Sequence, residues 1–76
     1  GDGVAMDRKK FAHYTKLAAE NGDADSIFNM GVIYENGDGV LRDIEQAMTY
    51  YKKAAEMGQT QAVKRIERGK WKMNNE

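Results

Sequence analysis

The stretch GDGVLRDIEQAMTYYKKAAEMG, residues 37–58, has a second, similar copy at residues 1–22, GDGVAMDRKKFAHYTKLAAENG. Shifting the chain by 36 positions matches eleven of the first thirty residues, where composition alone would match about two. Repeats of this length are supersecondary units that bury their apolar sides against their neighbours. The sequence therefore predicts stacked repeating units.

A helix is predicted over residues 44–57. Asp43 is suited to cap its N-terminus, with Gln46 three residues on as in a capping box, and Gly58 suits a left-handed C-cap. Asp7 is expected to cap an equivalent helix over residues 8–21. Small and apolar residues of the 44–57 helix recur at three- and four-residue steps on one face: Ile44, Ala47, Met48, Tyr51, Ala54 and Ala55.

A helix of a second type is predicted over residues 24–35. A glycine inside a helix costs about 1 kcal/mol relative to alanine, so we expect Gly31 to allow close approach of the partner helix backbone. The chain then turns at residues 36–39, and Val40 is expected to pack beneath the turn. The apolar positions Ile27, Met30, Gly31 and Tyr34 step i, i+3, i+4, i+7.

These elements divide the chain into a half repeat (1–23), a full repeat (24–59) and a C-terminal capping helix (60–72). In the last unit, Glu67 and Lys70 occupy the positions equivalent to Gly31 and Tyr34 of the full repeat. The terminal unit of a solenoid needs such a polar outer face. Trp71 is predicted to cover the end of the core. The predicted core includes Met30, Tyr34, Met48 and Tyr51.

Composition excludes several functions. The 76 residues contain no cysteine, and twelve basic side chains balance twelve acidic ones. Disulfides and thiolate metal sites are therefore excluded, and a neutral chain has no overall charge to attract nucleic acid. No apolar run approaches the roughly 20 residues that would cross a membrane. Neither the composition nor a recognisable targeting signal indicates a cellular location.

No catalytic, metal or cofactor residues are predicted. Gly37-Asp38-Gly39 lacks the spacing and Lys-Ser/Thr ending of a phosphate loop, and Tyr34 would occupy the first ligand position of a calcium loop. A turn needing positive backbone dihedrals explains these glycines better. His13 is the only histidine and lacks a partner for zinc. We expect no enzymatic activity.

The residues resemble the Sel1-like repeat, a relative of the tetratricopeptide repeat, over residues 1–66. The Gly-x-Gly-Val loop and the Lys-Ala-Ala-Glu-x-Gly ending distinguish it from the tetratricopeptide pattern. The matching positions of the full repeat are Ala24, Gly31, Tyr34, Gly37, Gly39, Val40, Asp43, Ala47, Tyr50, Lys53, Ala54, Ala55, Glu56 and Gly58.

This resemblance implies an all-α fold, an α/α superhelix (solenoid) of antiparallel helix pairs with a concave surface that organises protein complexes. Without cysteines, the chain does not resemble the disulfide-rich members of the family. The chain opens on Gly1 rather than Met, so we expect it to be a fragment of a longer array.

The expected function is a protein–protein adaptor or scaffold that binds a peptide or protein on the concave face; the alternative is a purely structural segment that stiffens or caps a larger protein. Phe28 and Val32 either contact the partner or pack on a preceding helix. The predicted partner-binding residues, on the two helices of the second type, are Asp25, Phe28, Asn29, Val32, Glu35, Lys64, Arg65 and Arg68.

Two further surfaces are distinctive. The C-terminal end is positively charged, with five cations at Lys64, Arg65, Arg68, Lys70 and Lys72. Five cations without interleaved aromatic residues support nucleic-acid binding only weakly. This end is therefore interpreted as a solvated cap. At the other end, Phe11 and Tyr14 lie on a helix that lacks an upstream partner. We therefore expect self-association through this N-terminal face, or low stability.

Overall fold

The computed structural model describes residues 2–68, with side chains from residue 7 onward. Consecutive helices pack on each other as antiparallel hairpins, α1 on α2, α2 on α3 and α3 on α4. This arrangement confirms the all-α prediction and is consistent with a segment of a solenoid. The four helices are α1 (Asp2–Glu20), α2 (Ala24–Asn36), α3 (Ile44–Glu56) and α4 (Thr60–Arg68).

The start of α1 differs from the prediction. The first Gly-Asp-Gly-Val copy was expected to form a loop before a helix beginning at residue 8, but the helix begins at Asp2. Residues 37–40 form the expected turn, whereas residues 2–4 of the first copy are helical. The turn is held by the end of α2 and by the backbone of α1.

The ends of α1 and α3 repeat the same hydrogen bonds. After α3, Gly58 N–H donates to Ala55 O at 2.9 Å and Gln59 N–H donates to Ala54 O at 3.0 Å. These are the two bonds of a Schellman motif, which needs a left-handed residue, and Gly58 has φ +91°. Gly22 ends α1 in the same way with φ +93°. The predicted glycine C-caps are confirmed.

The turn between α2 and α3 is anchored to both neighbouring helices. Asp43 caps α3 by accepting a bond from Gln46 N–H at 3.2 Å, as predicted. Its own N–H donates to Tyr34 O at 2.9 Å, which ties the turn to α2 and replaces the reciprocal bond of a capping box. Val40 packs on the core, as predicted. Gly39 has φ +78°, and a Cβ there would lie 2.8 Å from Arg8 O in α1.

The core surrounds α2, which lies between α1 and α3. Met30 and Tyr51 are buried as predicted, whereas Tyr34 and Met48 are only half-buried. Ile33 is buried although it lies off the predicted stripe, because α2 has a neighbour on each side. The buried apolar side chains are Ala12, Ala19, Ile27, Met30, Ile33, Ala47, Tyr51, Ala54 and Ala62.

Gly31 makes room for an aromatic ring, which corrects the expectation of a close approach between two backbones. A Cβ at residue 31 would lie 2.5 Å from Tyr51 Cε1 and 2.6 Å from Tyr51 Cδ1. The Tyr51 ring of α3 therefore lies directly on the α2 backbone, and its hydroxyl reaches Glu35 of the same helix. Glycine at 31 is a packing requirement, and it sets the position of the tyrosine.

Candidate partner-binding groove

An open groove of about 460 Å³ lies between α2 and α4, the two helices of the second type. Phe28 forms its α2 side. The α4 side is formed by four residues at i, i+3, i+4 and i+7, spacing that places them on one helical face. Those four residues are Gln61, Lys64, Arg65 and Arg68.

Phe28 provides the apolar surface of the groove. Its ring is half-buried and packs against Tyr51, with 5.6 Å between ring centroids and 41° between planes. Because Tyr51 is fully buried and rests on Gly31, Phe28 is supported from behind by the core. The groove therefore has an aromatic wall that is held by the core.

Three side chains form a polar cluster beside Phe28. Tyr51 donates its hydroxyl proton to Glu35 Oε1 at 2.6 Å. One guanidinium nitrogen of Arg65, Nη1, lies 3.2 Å from Glu35 Oε1 and 3.4 Å from Oε2. The guanidinium carbon also lies 5.4 Å from the centroid of the Tyr51 ring. Residues from α2, α3 and α4 thus meet at one carboxylate.

This cluster keeps Tyr51 protonated. Burial raises the pKa of Tyr51 far above its usual value, and the hydrogen bond and negative charge of Glu35 raise it further, while Arg65 lowers it. The tyrosine therefore remains a hydrogen-bond donor at physiological pH. Its proton and the guanidinium of Arg65 hold Glu35 in place at the edge of the groove.

The remaining predicted residues lie near the groove in different ways. Lys64 and Arg68 are exposed along it. Asp25 is exposed and accepts a bond from Gln59 Nε2 at 3.1 Å. Asn29 and Val32 are partly buried on α2 and are not among the described residues that line the groove.

The structure also adds two residues to the predicted set. Gln61 lines the groove; the four-residue step to Arg65 was the signal that could have revealed it. Gln59 accepts a bond from Ala62 N–H at 2.7 Å while its amide reaches Asp25. It thereby caps α4 and links this helix to α2. Lys70, Trp71 and Lys72 lie outside the described residues.

Among residues 2–68, the structure brings together no group of three or more histidine and acidic side chains that could hold a metal ion. No helix in this part of the chain is both long and apolar enough to span a membrane.

Comparisons with known proteins agree with the repeated hairpins. The chain is 43% identical over 61 residues to DAP3-binding cell death enhancer 1 of Rattus norvegicus and 39% identical to the Mus musculus protein. The match covers 80% of this chain but only 12% of the length of either relative. No solved structure matches. The model of the Sel1 repeat matches residues 1–23 and 24–59, and the chain therefore belongs to the Sel1 repeat family.

Proposed function

We propose that this chain acts as an adaptor segment that holds a protein partner in the groove between α2 and α4. Sel1 repeats generally mediate protein–protein interactions, and the name of the rat relative describes it as a DAP3-binding protein. Family and relative therefore indicate an interaction module rather than an enzyme.

One observation carries the choice of surface. The groove combines a core-supported aromatic ring, Phe28, with the exposed cations Lys64 and Arg68. Protein interfaces use aromatic anchors surrounded by polar groups that give specificity. Because Tyr51 supports Phe28 and Glu35 holds Arg65, little side-chain entropy is lost at these two groove positions on binding.

Site-specific photocrosslinking in cells tests this surface. A photoreactive amino acid is placed at position 64 of the longest natural protein that contains this chain, and in a control protein at position 52. Lys52 is also exposed but lies on α3 and does not line the groove. We expect protein adducts from position 64 and few from position 52.

Mass spectrometry of the adducts then identifies the partner and shows whether a DAP3-type protein is among them. Equal adducts from both positions would contradict binding in the groove. Absence of adducts from position 64, in a protein that folds normally, would favour the alternative of a structural segment.

A further inference from the structure

The cations that line the groove differ in whether they form an ion pair. Arg65 is paired with Glu35, whereas neither Lys64 nor Arg68 forms an ion pair within the described residues. Both are exposed, and they lie four residues apart on one face of α4. Two cations without an ion-pair partner in the described part of the chain therefore lie opposite the Phe28 ring, across an open groove.

Arg65 is held in position at the same wall. Glu35 contacts one of its nitrogens, Nη1, and the Tyr51 ring supports the guanidinium carbon. Arginine has five N–H donors, so donors on the other nitrogens are left for a further acceptor. The Glu35 carboxylate already pairs with Arg65, which is an example of a carboxylate bound on the α4 side of the groove.

We propose that the groove recognises an acidic segment of a protein that also carries an apolar side chain. The apolar side chain packs on Phe28, and carboxylates pair with Lys64 and Arg68, with Arg65 as a pre-positioned third donor. This proposal rests on the function proposed above and specifies the chemistry of the partner. Charge complementarity to the α4 wall is the argument for it.

Nucleic acid fits this groove less well than an acidic peptide. Binding to a phosphate backbone depends on neutralising many phosphates in a row, and the groove offers the cations of α4 only. Glu35 and Asp25 place negative charge on the α2 side. A peptide with a few carboxylates and an apolar group matches the groove better than a continuous polyanion.

Fluorescence anisotropy with defined probes tests the proposal on the 76-residue chain. The probes are three labelled peptides of equal length, in which leucine alternates with glutamate, glutamine or lysine, and a labelled oligothymidylate. We expect the glutamate peptide to bind most tightly, and more weakly as salt rises, because exposed charges are screened.

The double variant K64E/R68E is expected to reverse the preference from the glutamate to the lysine peptide. Its affinity for the glutamate peptide should fall about ten-fold, since each exposed ion pair contributes modestly. The control K16E/K52E changes net charge equally at two exposed positions on α1 and α3 and should keep the original preference. Circular dichroism checks that all variants remain helical.

Three results would overturn the acidic-partner proposal. Equal affinity for the glutamate and glutamine peptides would show that charge does not select the ligand. If the F28S variant then bound neither peptide, binding in the groove itself would still be supported. Equal reversal by the control variant would show only a net-charge effect. Tighter binding of the oligothymidylate than of the glutamate peptide would assign the groove to nucleic acid. A failure of the acidic proposal leaves the photocrosslinking result unaffected.

Discussion

At the scale of single residues, Gly31 makes room for the Tyr51 ring, and Tyr51 in turn binds Glu35 beside the groove. The ring rests on the glycine, and its hydroxyl reaches the carboxylate of Glu35. The sequence predicted a close approach at Gly31 and a buried Tyr51, but spacing alone could not pair them. The orientation of the helices decides which of several apolar side chains fills a gap, and residue periodicity gives no information about that orientation.

We expect Gly31→Ala to destabilise the chain by up to about 2 kcal/mol, because overpacking usually costs about 1–3 kcal/mol and part of that cost is offset. Alanine gains about 1 kcal/mol in helix propensity, but its Cβ would lie 2.5 Å from a buried ring, and that overlap is the larger effect. Urea denaturation measures the change. In a Tyr51→Val background the same substitution should become neutral or stabilising; equal destabilisation in both backgrounds would rule out the ring as the cause.

The two adjacent tyrosines of α3 should make the free energy of unfolding fall as pH rises in the alkaline range. Burial raises the pKa of both Tyr50 and Tyr51, and Glu35 raises the pKa of Tyr51 further. Tyrosines in the unfolded chain lose their protons near pH 10, while in the folded chain these two lose them at higher pH. The unfolded state then binds fewer protons, so stability present below about pH 10 is lost as pH rises.

The expected loss is about 1.4 kcal/mol per pH unit for each tyrosine that stays protonated. Urea denaturation at steps from about pH 8 to pH 11 measures it. Tyr51→Phe is the control, because it removes one of the two groups and should flatten the slope above about pH 10. An unchanged slope in this variant would show that Tyr51 is not protected in the folded chain.

At the scale of elements, the turn at 37–43 joins three helices. It continues from the end of α2, caps α3 through Asp43 and lies on the α1 backbone at Gly39. The two outer glycines of the repeat, Gly22 and Gly58, differ from Gly39 because a Cβ there would meet nothing within 4 Å. Of these three glycines, Gly22 and Gly58 are therefore needed for φ alone, whereas Gly39 is needed for φ and for space.

We expect Gly39→Ala to be more costly than Gly58→Ala. Alanine at 58 bears only the strain of a left-handed backbone, roughly 1–2 kcal/mol. Alanine at 39 bears similar strain and also overlaps Arg8 O at 2.8 Å, which adds roughly 1–3 kcal/mol. Thermal unfolding of both variants tests the difference, and equal losses would show that the turn lifts freely from α1.

The bounds of the inner helices were predictable from local signals. Capping residues and glycine stops placed α2 and α3 within one residue of their observed ends. The start of α1 was not predictable from the repeat, because the turn in the second copy depends on contacts with other helices. Residues 2–4 have the same sequence as residues 38–40 but are helical. Local sequence determines the caps, whereas the same Asp-Gly-Val sequence forms a turn in one copy and a helix in the other.

At the scale of the whole molecule, α1 presents an apolar face that the described residues leave uncovered. Phe11, Tyr14 and Leu17 are 55%, 65% and 46% exposed. The repeat indicates what such a face normally contacts, because Tyr14 corresponds to Tyr50. Tyr50 stacks on Tyr34 of α2, with ring centroids 5.7 Å apart and planes 8° from parallel. A helix equivalent to α2 would cover α1 in the same way.

We therefore expect the 76-residue chain to self-associate through this face. Burying apolar surface of this kind contributes roughly 25 cal/mol per Å², and isolated apolar patches on monomers commonly mark interaction surfaces. Sedimentation velocity over a range of concentrations measures the effect. The double variant F11E/Y14E should sediment as a monomer at concentrations where the unchanged chain forms larger species.

The control is Leu41→Glu, which adds a charge at an apolar residue that is 89% exposed in the turn and lies off the α1 face. It should associate like the unchanged chain, because exposure of one side chain does not make an interface. If Leu41→Glu abolished association, the turn would be the contact surface. A compact, high-melting monomer for the unchanged chain would show that α1 is stable without a covering helix, and that this repeat needs fewer neighbours than a solenoid unit ordinarily does.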